Sequence, residues 1–146
     1  YNNALNNFKK ALYINNDSIY ANMGIGCIYN DNGYFNKAIE YFSKAISLIN
    51  EKGIKDEHNN LQNAYYNRAL SYFLLGEYNK SINDFDEALK LNKEDYEAYN
   101  DKGNAYYRQG NFDEAIESYK KALSINPDFE NAKYNLERTE NALKEI

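Results

Sequence analysis

The sequence has very few of the residues that usually build covalent links, metal sites or active sites. Its 146 residues include one cysteine, one histidine and no tryptophan. A single cysteine excludes a disulfide within the chain and is compatible with a reducing compartment. We therefore expect the protein in the cytoplasm or another reducing compartment.

Long apolar runs and excess positive charge are also missing. The longest apolar runs are a handful of residues, far shorter than the about 20 that a membrane helix needs. No signal-peptide pattern opens the chain. Asp and Glu outnumber Lys and Arg by 22 to 17, a net charge of −5. Because binding to a nucleic-acid backbone needs clustered cations, a nucleic acid is not an expected partner. Because the apolar runs are short, a membrane is not expected either.

No pattern in the sequence predicts catalysis. His58 lies beside Asp56 and Glu57, but one histidine with solvated carboxylates is a poor metal site, and a surface role is the simpler interpretation. Cys27 has neither a histidine nor a CxxC partner, which favours an ordinary small apolar residue. The phosphate-loop, dinucleotide and zinc-protease motifs do not occur. We expect no catalytic residues, no metal and no cofactor, and hence a protein that is not an enzyme.

The sequence does contain a repeat. Residues 96–129 match the preceding residues at a shift of 34 positions. The matched pairs are Tyr99 and Tyr65, Gly103 and Ala69, Tyr106 and Tyr72, Gly110 and Gly76, Ile116 and Ile82, Ala122 and Ala88, and Leu123 and Leu89. Self-similarity at a fixed period of about 20–50 residues indicates a repeat architecture.

Residues 96–129 closely resemble the tetratricopeptide repeat, which has fixed residue types at fixed positions. The residues that carry the resemblance are the aromatic Tyr99, the small Gly103, Tyr106, Gly110 in the turn, the small Ala115, the aromatic Tyr119, Ala122 and Pro127. The resemblance implies an all-α, right-handed superhelical solenoid of antiparallel helix pairs. It identifies an architecture rather than a ligand.

We expect the chain to form one domain, which consists of a half repeat followed by about three full repeats and a capping helix. The expected segments are a second helix alone in 1–17, repeats at 18–52, 62–95 and 96–129, an insertion at 53–61, and a capping helix at 130–146. Within them we expect Ser18, Asn36, Asn79 and Asp113 to cap helices. The helix after the insertion is expected to run from about 57 to 75, roughly two turns longer than its counterparts.

The two ends of the repeat array differ in polarity. In the last helix, Lys133, Glu137 and Glu140 occupy positions that normally pack on a partner, which is typical of a solvated cap. The first helix keeps an apolar stripe that includes Phe8, although no partner helix precedes it. The stripe predicts a longer protein with more repeats upstream, and in its absence fraying or self-association through this helix.

The resemblance also implies a concave groove lined by the first helix of each repeat. Carried over by position, the partner-binding candidates are Asn63, Tyr66, Asn67, Leu70, Phe73, Leu74, Asn100, Asp101, Asn104, Tyr107, Arg108, Asn135 and Arg138. Exposed apolar patches with polar rims tend to mark interaction sites, and asparagine amides can bond an extended backbone. Against this, the chain contains 25 asparagines, so some in the groove are expected by composition alone.

Three functions are compatible with this architecture. The first, which we favour, is a protein-interaction scaffold that binds a peptide or helix of a partner. The second is a regulatory or substrate-recruiting array of a larger enzyme such as a glycosyltransferase, and the third is a structural self-association module. The residues that hold chaperone C-terminal tails in related repeats correspond here to Met23, Cys27, Asn67, Glu97 and Asp101. Only Asn67 fits and two carboxylates replace two cations, so a chaperone tail is not an expected partner.

Overall fold

The computed structural model describes residues 2–53 and 59–145, and these residues form eight α-helices and no β-strand. The helices are α1 (Asn2–Ile14), α2 (Ile19–Asp31), α3 (Phe35–Asn50), α4 (Asn60–Leu74), α5 (Tyr78–Leu91), α6 (Tyr96–Gln109), α7 (Phe112–Ile125) and α8 (Glu130–Lys144). The predicted all-α repeat fold is confirmed. Within the described residues, no helix has both the length and the apolar composition that a membrane crossing needs.

Glycine makes the short turns that pair the helices. Gly33, Gly76 and Gly110 follow α2, α4 and α6 with φ of +78°, +79° and +82°. This left-handed conformation is inexpensive only for glycine, which lacks a Cβ. The turns therefore reverse the chain within three residues or fewer and make the helices of each pair antiparallel.

The helix starts agree with the expected caps only in part. Ser18 caps α2, because its side chain accepts a hydrogen bond from the Ala21 N–H at 3.2 Å. Asn36, Asn79 and Asp113 do not cap their helices. Each lies one residue inside a helix whose N-cap directly follows the turn glycine. The turn closes so tightly that the next helix begins two residues earlier than the side chains suggested.

The helix after the insertion is shorter than expected. Asn59 has a left-handed φ of 54°, and α4 begins at Asn60 rather than near 57. Residues 54–58, which include the histidine, lie outside the described part of the chain. At 15 residues, α4 exceeds α6 by one residue rather than by two turns.

The helices stack in chain order and curve about one face. Each helix contacts the next, and α2, α4, α6 and α8 also contact one another in succession. The described residues of α3, α5 and α7 make no such contacts with one another. The first helices are thus closer together than the second helices, so they form the inner face of the stack.

Close approach in two of the helix pairs, α2–α3 and α6–α7, depends on a missing side chain. A Cβ built on Gly26 would lie 2.6 Å from the Phe42 ring, and one on Gly103 would lie 2.6 Å from the Tyr119 ring. Both rings are fully buried. These aromatic side chains fill the space that each glycine leaves on the neighbouring helix, which makes the interface dense.

The two terminal helices are packed unequally. No residue of α1 is buried. Leu5, Phe8 and Leu12 nevertheless pack against the buried core formed mainly by α2 and α3, and Phe8 lies against Gly24. In α8, Ala132 and Thr139 are fully buried. Its charged positions face outwards: Lys133 and Glu137 are exposed and Glu140 is half-buried. Among the described residues, α8 therefore presents a more polar outer surface than α1.

Candidate binding groove

The sequence candidates lie on α4, α6 and α8, three of the four helices of the inner face. Asn63, Leu74, Arg108 and Arg138 are exposed, and Asn100 is buried with 5% exposure. The half-buried candidates are Tyr66, Asn67, Leu70, Phe73, Asp101, Asn104, Tyr107 and Asn135. We call this inner surface the groove. That these residues bind a partner remains a prediction.

A half-buried carboxylate organises the middle of the groove. Asp101 accepts hydrogen bonds from the Tyr66 hydroxyl at 2.7 Å, from the Asn100 amide at 3.1 Å and from the Asn104 amide at 3.4 Å. The Tyr66 bond joins α4 to α6. Burial raises the pKa of Asp101 above its ordinary value, although these hydrogen bonds oppose the shift. Burial and the Asp101 charge also raise the pKa of Tyr66.

Two further hydrogen bonds, each involving a side-chain amide, connect α6 to its neighbours. The Tyr119 hydroxyl on α7 donates to Asn104 Oδ1 at 2.9 Å, and Asn135 on α8 donates from Nδ2 to Asn100 Oδ1 at 2.9 Å. Burial raises the pKa of Tyr119 to about 12, although the nearby charge of Arg138 opposes the shift. Asn100 is therefore a residue that positions its neighbours, and its amide is occupied inside the protein.

Beyond this network the groove opens into a cleft of about 300 Å³. We call it the arginine cleft; it is lined by Phe73, Asn104, Tyr107, Arg108, Asn135 and Arg138. All six residues are sequence candidates, and they come from three successive inner helices. The cleft combines an aromatic wall, two amides and two guanidinium groups.

The aromatic side chains of the cleft are fixed by their neighbours. The Arg138 guanidinium lies 4.3 Å from the centre of the Tyr107 ring, a cation–π arrangement. Tyr107 in turn packs on Phe112 with ring centres 5.3 Å apart. Phe73 packs on Tyr78 at 5.7 Å. These contacts hold the walls of the cleft in place before any ligand arrives.

The N-terminal part of the groove offers less free surface. Met23 is buried, and Gly24 is covered by the Phe8 ring. Asn30 is occupied as well, because it accepts a hydrogen bond from Ser71 at 2.8 Å. The charged side chains among the groove candidates, Asp101, Arg108 and Arg138, all lie on α6 and α8.

Sequence reasoning missed a larger cleft between α4, α5 and α6. This outer cleft, of about 820 Å³, is lined by Tyr65, Arg68, Asn83, Asp84, Asp86, Glu87, Leu89, Lys90, Lys93, Tyr99 and Lys102. Most of its charges neutralise one another. Lys102 pairs with Asp86 at 2.6 Å and Lys90 with Glu87 at 2.5 Å. We therefore regard it as a structural cleft, despite its size.

Arg68 in the outer cleft differs from the sequence interpretation. We expected its charge to reach water, as for a long side chain at the edge of a core. Instead, Asp84 accepts two hydrogen bonds from the guanidinium, at 2.6 and 2.8 Å, and Ser43 accepts a third at 2.9 Å. Burial lowers the pKa of Arg68, but the hydrogen bonds and charge of Asp84 outweigh it and raise the pKa overall. No local pattern in the sequence indicates this pair, because the two residues lie 16 positions apart on different helices.

Metal binding finds little support in the described residues. They contain no group of three or more His, Cys, Asp or Glu side chains that would hold an ion. Cys27 is a free, half-buried thiol whose pKa is raised by burial. It therefore stays protonated to higher pH than an exposed cysteine.

Comparison with known proteins identifies the repeat independently. Family models described as "Tetratricopeptide repeat" match residues 63–95 and 96–129, and a second such model matches 19–52. The matched residues make up well over half of the chain.

Individual relatives agree with the fold. The NADPH oxidase activator of Dictyostelium discoideum is 34% identical over 79 residues, which are 53% of this chain and 12% of the activator. A protein described as "Crystal structure of MamA" is 27% identical to this chain, with a TM-score of 0.84. The aligned region covers 96% of this chain and 77% of the MamA chain. The crystal structure of YrrB is 24% identical to this chain, with a TM-score of 0.79. The aligned region covers 99% of this chain and 69% of the YrrB chain. The last likeness is one of fold alone.

Proposed function

Because the chain belongs to the tetratricopeptide repeat family, we propose that it is a protein-interaction scaffold whose groove binds an extended peptide segment of a partner protein. The observation that carries the proposal is the arginine cleft. Six groove residues from three successive helices surround about 300 Å³ of space there. A cleft with aromatic walls and a few placed polar groups is the usual form of a binding site.

The groove also has an accessible apolar edge. Leu74 is 54% exposed at the end of α4, next in sequence to Phe73 of the cleft wall. Apolar anchors that enter a partially formed pocket commonly supply most of the energy of a protein interface. The polar network beneath the groove keeps the inner helices in register, so little ordering would be needed on binding.

The experiment is selection from a display library of random peptides, followed by binding measurements on variants. Phe73→Ala and Leu74→Ala should each weaken the selected peptides about tenfold, because truncating an apolar anchor removes more than 1 kcal/mol. Leu91→Ala is the matched control, since Leu91 is 52% exposed but lies on α5, outside the groove. Circular dichroism should show unchanged helicity in all three variants.

Two outcomes contradict the proposal. In the first, the library yields no peptide that binds. In the second, the selected peptides bind the two groove variants and the Leu91 variant equally well. We do not choose Tyr66 for the test, because its hydroxyl bonds Asp101 and its ring packs on Phe85 at 5.7 Å. Its removal would disturb the fold itself.

A second candidate function is a regulatory segment of a larger protein. It is favoured by the similarity to the NADPH oxidase activator, of which the matched stretch is 12%. The two candidate functions use the same groove. They differ in whether binding only recruits the partner or also changes its activity. An NADPH oxidase assay with added chain tests the second: stimulation that Leu74→Ala abolishes and Leu91→Ala preserves supports it, and no stimulation contradicts it.

A further inference from the structure

The arginine cleft contains two cations that the protein does not neutralise. The chain has three arginines, and Arg68 is paired with Asp84 in the outer cleft. Arg108 and Arg138 both line the arginine cleft, and neither has a carboxylate within 4.0 Å among the described residues. Two guanidinium groups in one cleft without a carboxylate partner suit a ligand of opposite charge.

The geometry favours a carboxylate. A guanidinium group presents a planar fork of N–H donors that matches the two oxygens of a carboxylate. Arg138 is held against the Tyr107 ring at 4.3 Å, so its side chain is already ordered. Order before binding reduces the entropy that a ligand must otherwise overcome.

The neighbouring amides add a feature of a peptide backbone. Asn135 uses its Nδ2 to donate to Asn100, which leaves its oxygen as an acceptor at the cleft. Asn104 offers less to a ligand, because its oxygen accepts from Tyr119 and its Nδ2 donates to Asp101. An acceptor beside two cationic donors suits a backbone N–H next to an acidic side chain.

Asp101, the one acidic residue among the groove candidates, does not offer a competing site for a cation. Both oxygens of Asp101 accept hydrogen bonds, from Tyr66, Asn100 and Asn104. This carboxylate is therefore occupied within the protein, whereas the two guanidinium groups of the cleft have no carboxylate partner among the described residues. Arg138 contacts the Tyr119 hydroxyl and aromatic rings.

From this arrangement we propose that Arg108 and Arg138 bind the carboxylate of an internal Asp or Glu side chain in the partner peptide. The inference rests on the proposed function, because it assigns the chemistry that the groove recognises. Phe73 and Tyr107 supply the wall against which the aliphatic part of that side chain packs. The set differs from the one that holds chaperone tails, whose positions are occupied here by Met23, Cys27, Asn67, Glu97 and Asp101.

The test uses synthetic copies of the library-selected peptides, with acetylated N-termini and amidated C-termini. We expect the selected sequences to share an acidic position. Replacing that Glu by Gln should weaken binding to the parent protein about tenfold, since hydrogen bonds between charged groups are the stronger class. On Arg138→Gln or Arg108→Gln the same peptide change should have a smaller effect than on the parent, because one of the two partner charges is already gone.

Lys93→Gln is the matched control for the loss of one positive charge. Lys93 is exposed and lies in the outer cleft, so its removal should leave the tenfold peptide effect intact. Arg108→Gln serves as the variant that tests charge without packing, because Arg108 is exposed whereas Arg138 packs on Tyr107.

Several results would overturn the inference while leaving the proposed function in place. The first is a set of selected peptides that share no acidic position. The second is a loss of affinity on replacing Glu by Gln that is equal for the parent and the arginine variants. The third is binding only when phosphoserine or a free chain terminus replaces the Glu. A library without binders, or binders insensitive to Phe73→Ala, contradicts the proposed function itself.

Discussion

At the scale of single residues, two glycines decide how closely paired helices approach. Gly103 lies on α6 opposite Tyr119 of α7, and Gly26 lies on α2 opposite Phe42 of α3. In each pair a fully buried ring rests where a Cβ would stand. The small residue and the ring are therefore one packing unit, and neither can change size alone.

Gly103→Ala should destabilise the protein. The added Cβ would lie 2.6 Å from the Tyr119 ring, so the ring or the helix must shift. Overpacking costs about 1–3 kcal/mol, and the better helix propensity of alanine returns about 1 kcal/mol, so we expect a net loss. Glu117→Ala on the exposed face of α7 is the control. Equal melting temperatures for Gly103→Ala and the parent would disprove the packing unit.

Asp101 should make stability depend on pH. Burial raises its pKa in the folded state above the ordinary value of 3.8. The folded protein therefore binds the proton more tightly than the unfolded chain, so this contribution to stability is fully present below pH 3.8 and is lost as pH rises through the raised value.

Denaturant unfolding of the parent and of Asp101→Asn across this pH range measures the effect. Relative to the variant, which cannot titrate, the parent should lose unfolding free energy as pH increases from 3.8 towards neutrality. A stability difference that is constant with pH, or that changes in the opposite direction, would contradict the assignment.

At the scale of elements, charge pairs connect helices that apolar packing only partly covers. Arg68 on α4 bonds Asp84 on α5 and Ser43 on α3, so a single guanidinium joins three helices. The side chains of Arg68 and Asp84 are only 18% and 8% exposed. Loss of one partner would leave the other charge largely without solvent.

Asp84→Asn should therefore lower the unfolding free energy by about 1–3 kcal/mol, the cost of an incompletely paired buried group. Asp86→Asn is a matched control, because Asp86 pairs with Lys102 at 2.6 Å but its side chain is 43% exposed. Exposed pairs contribute about 1 kcal/mol or less. If denaturant unfolding shows equal losses of unfolding free energy for the two variants, the Arg68–Asp84 pair does not stabilise the helix contacts more than an exposed pair does.

At the scale of the whole molecule, packing density falls towards the N-terminal end of the stack. Helix α1 has no buried residue and contacts only α2. Helix α7 buries Ala115, Ser118, Tyr119 and Ala122 between α6 and α8. In a solenoid each repeat is stabilised mainly by its neighbours, so stability should follow this gradient.

Hydrogen exchange should show the gradient directly. Amides of Asn2–Ile14 should exchange faster than those of Phe112–Ile125, because local opening of α1 exposes little apolar surface. Phe8→Ala should speed exchange in α1 and leave α7 unchanged. Equal protection of the two helices in the parent protein would show that the contact of Phe8 with Gly24 stabilises α1 more than its exposure suggests.

The sequence alone determined the architecture. Tyr99, Gly103, Tyr119 and Ala122 recur at a fixed spacing because each fills one side of the same helix interface, and local pattern and interface coincide in such a fold. Ser18 was found as a cap for the same reason, since its bond to Ala21 spans three residues. The groove candidates on α4, α6 and α8 followed from the repeat positions.

Only the tertiary structure decided which of those candidates are available. Asn100 and Arg138 are both groove candidates of the repeat, yet the first is buried and bonded to Asn135 while the second faces the cleft. The pairing of Arg68 with Asp84 and the helix start at Asn60 were also decided there. Hydrogen-bond partners on different helices, and backbone conformations such as the left-handed Asn59, depend on how elements meet in space, which a one-dimensional period does not encode.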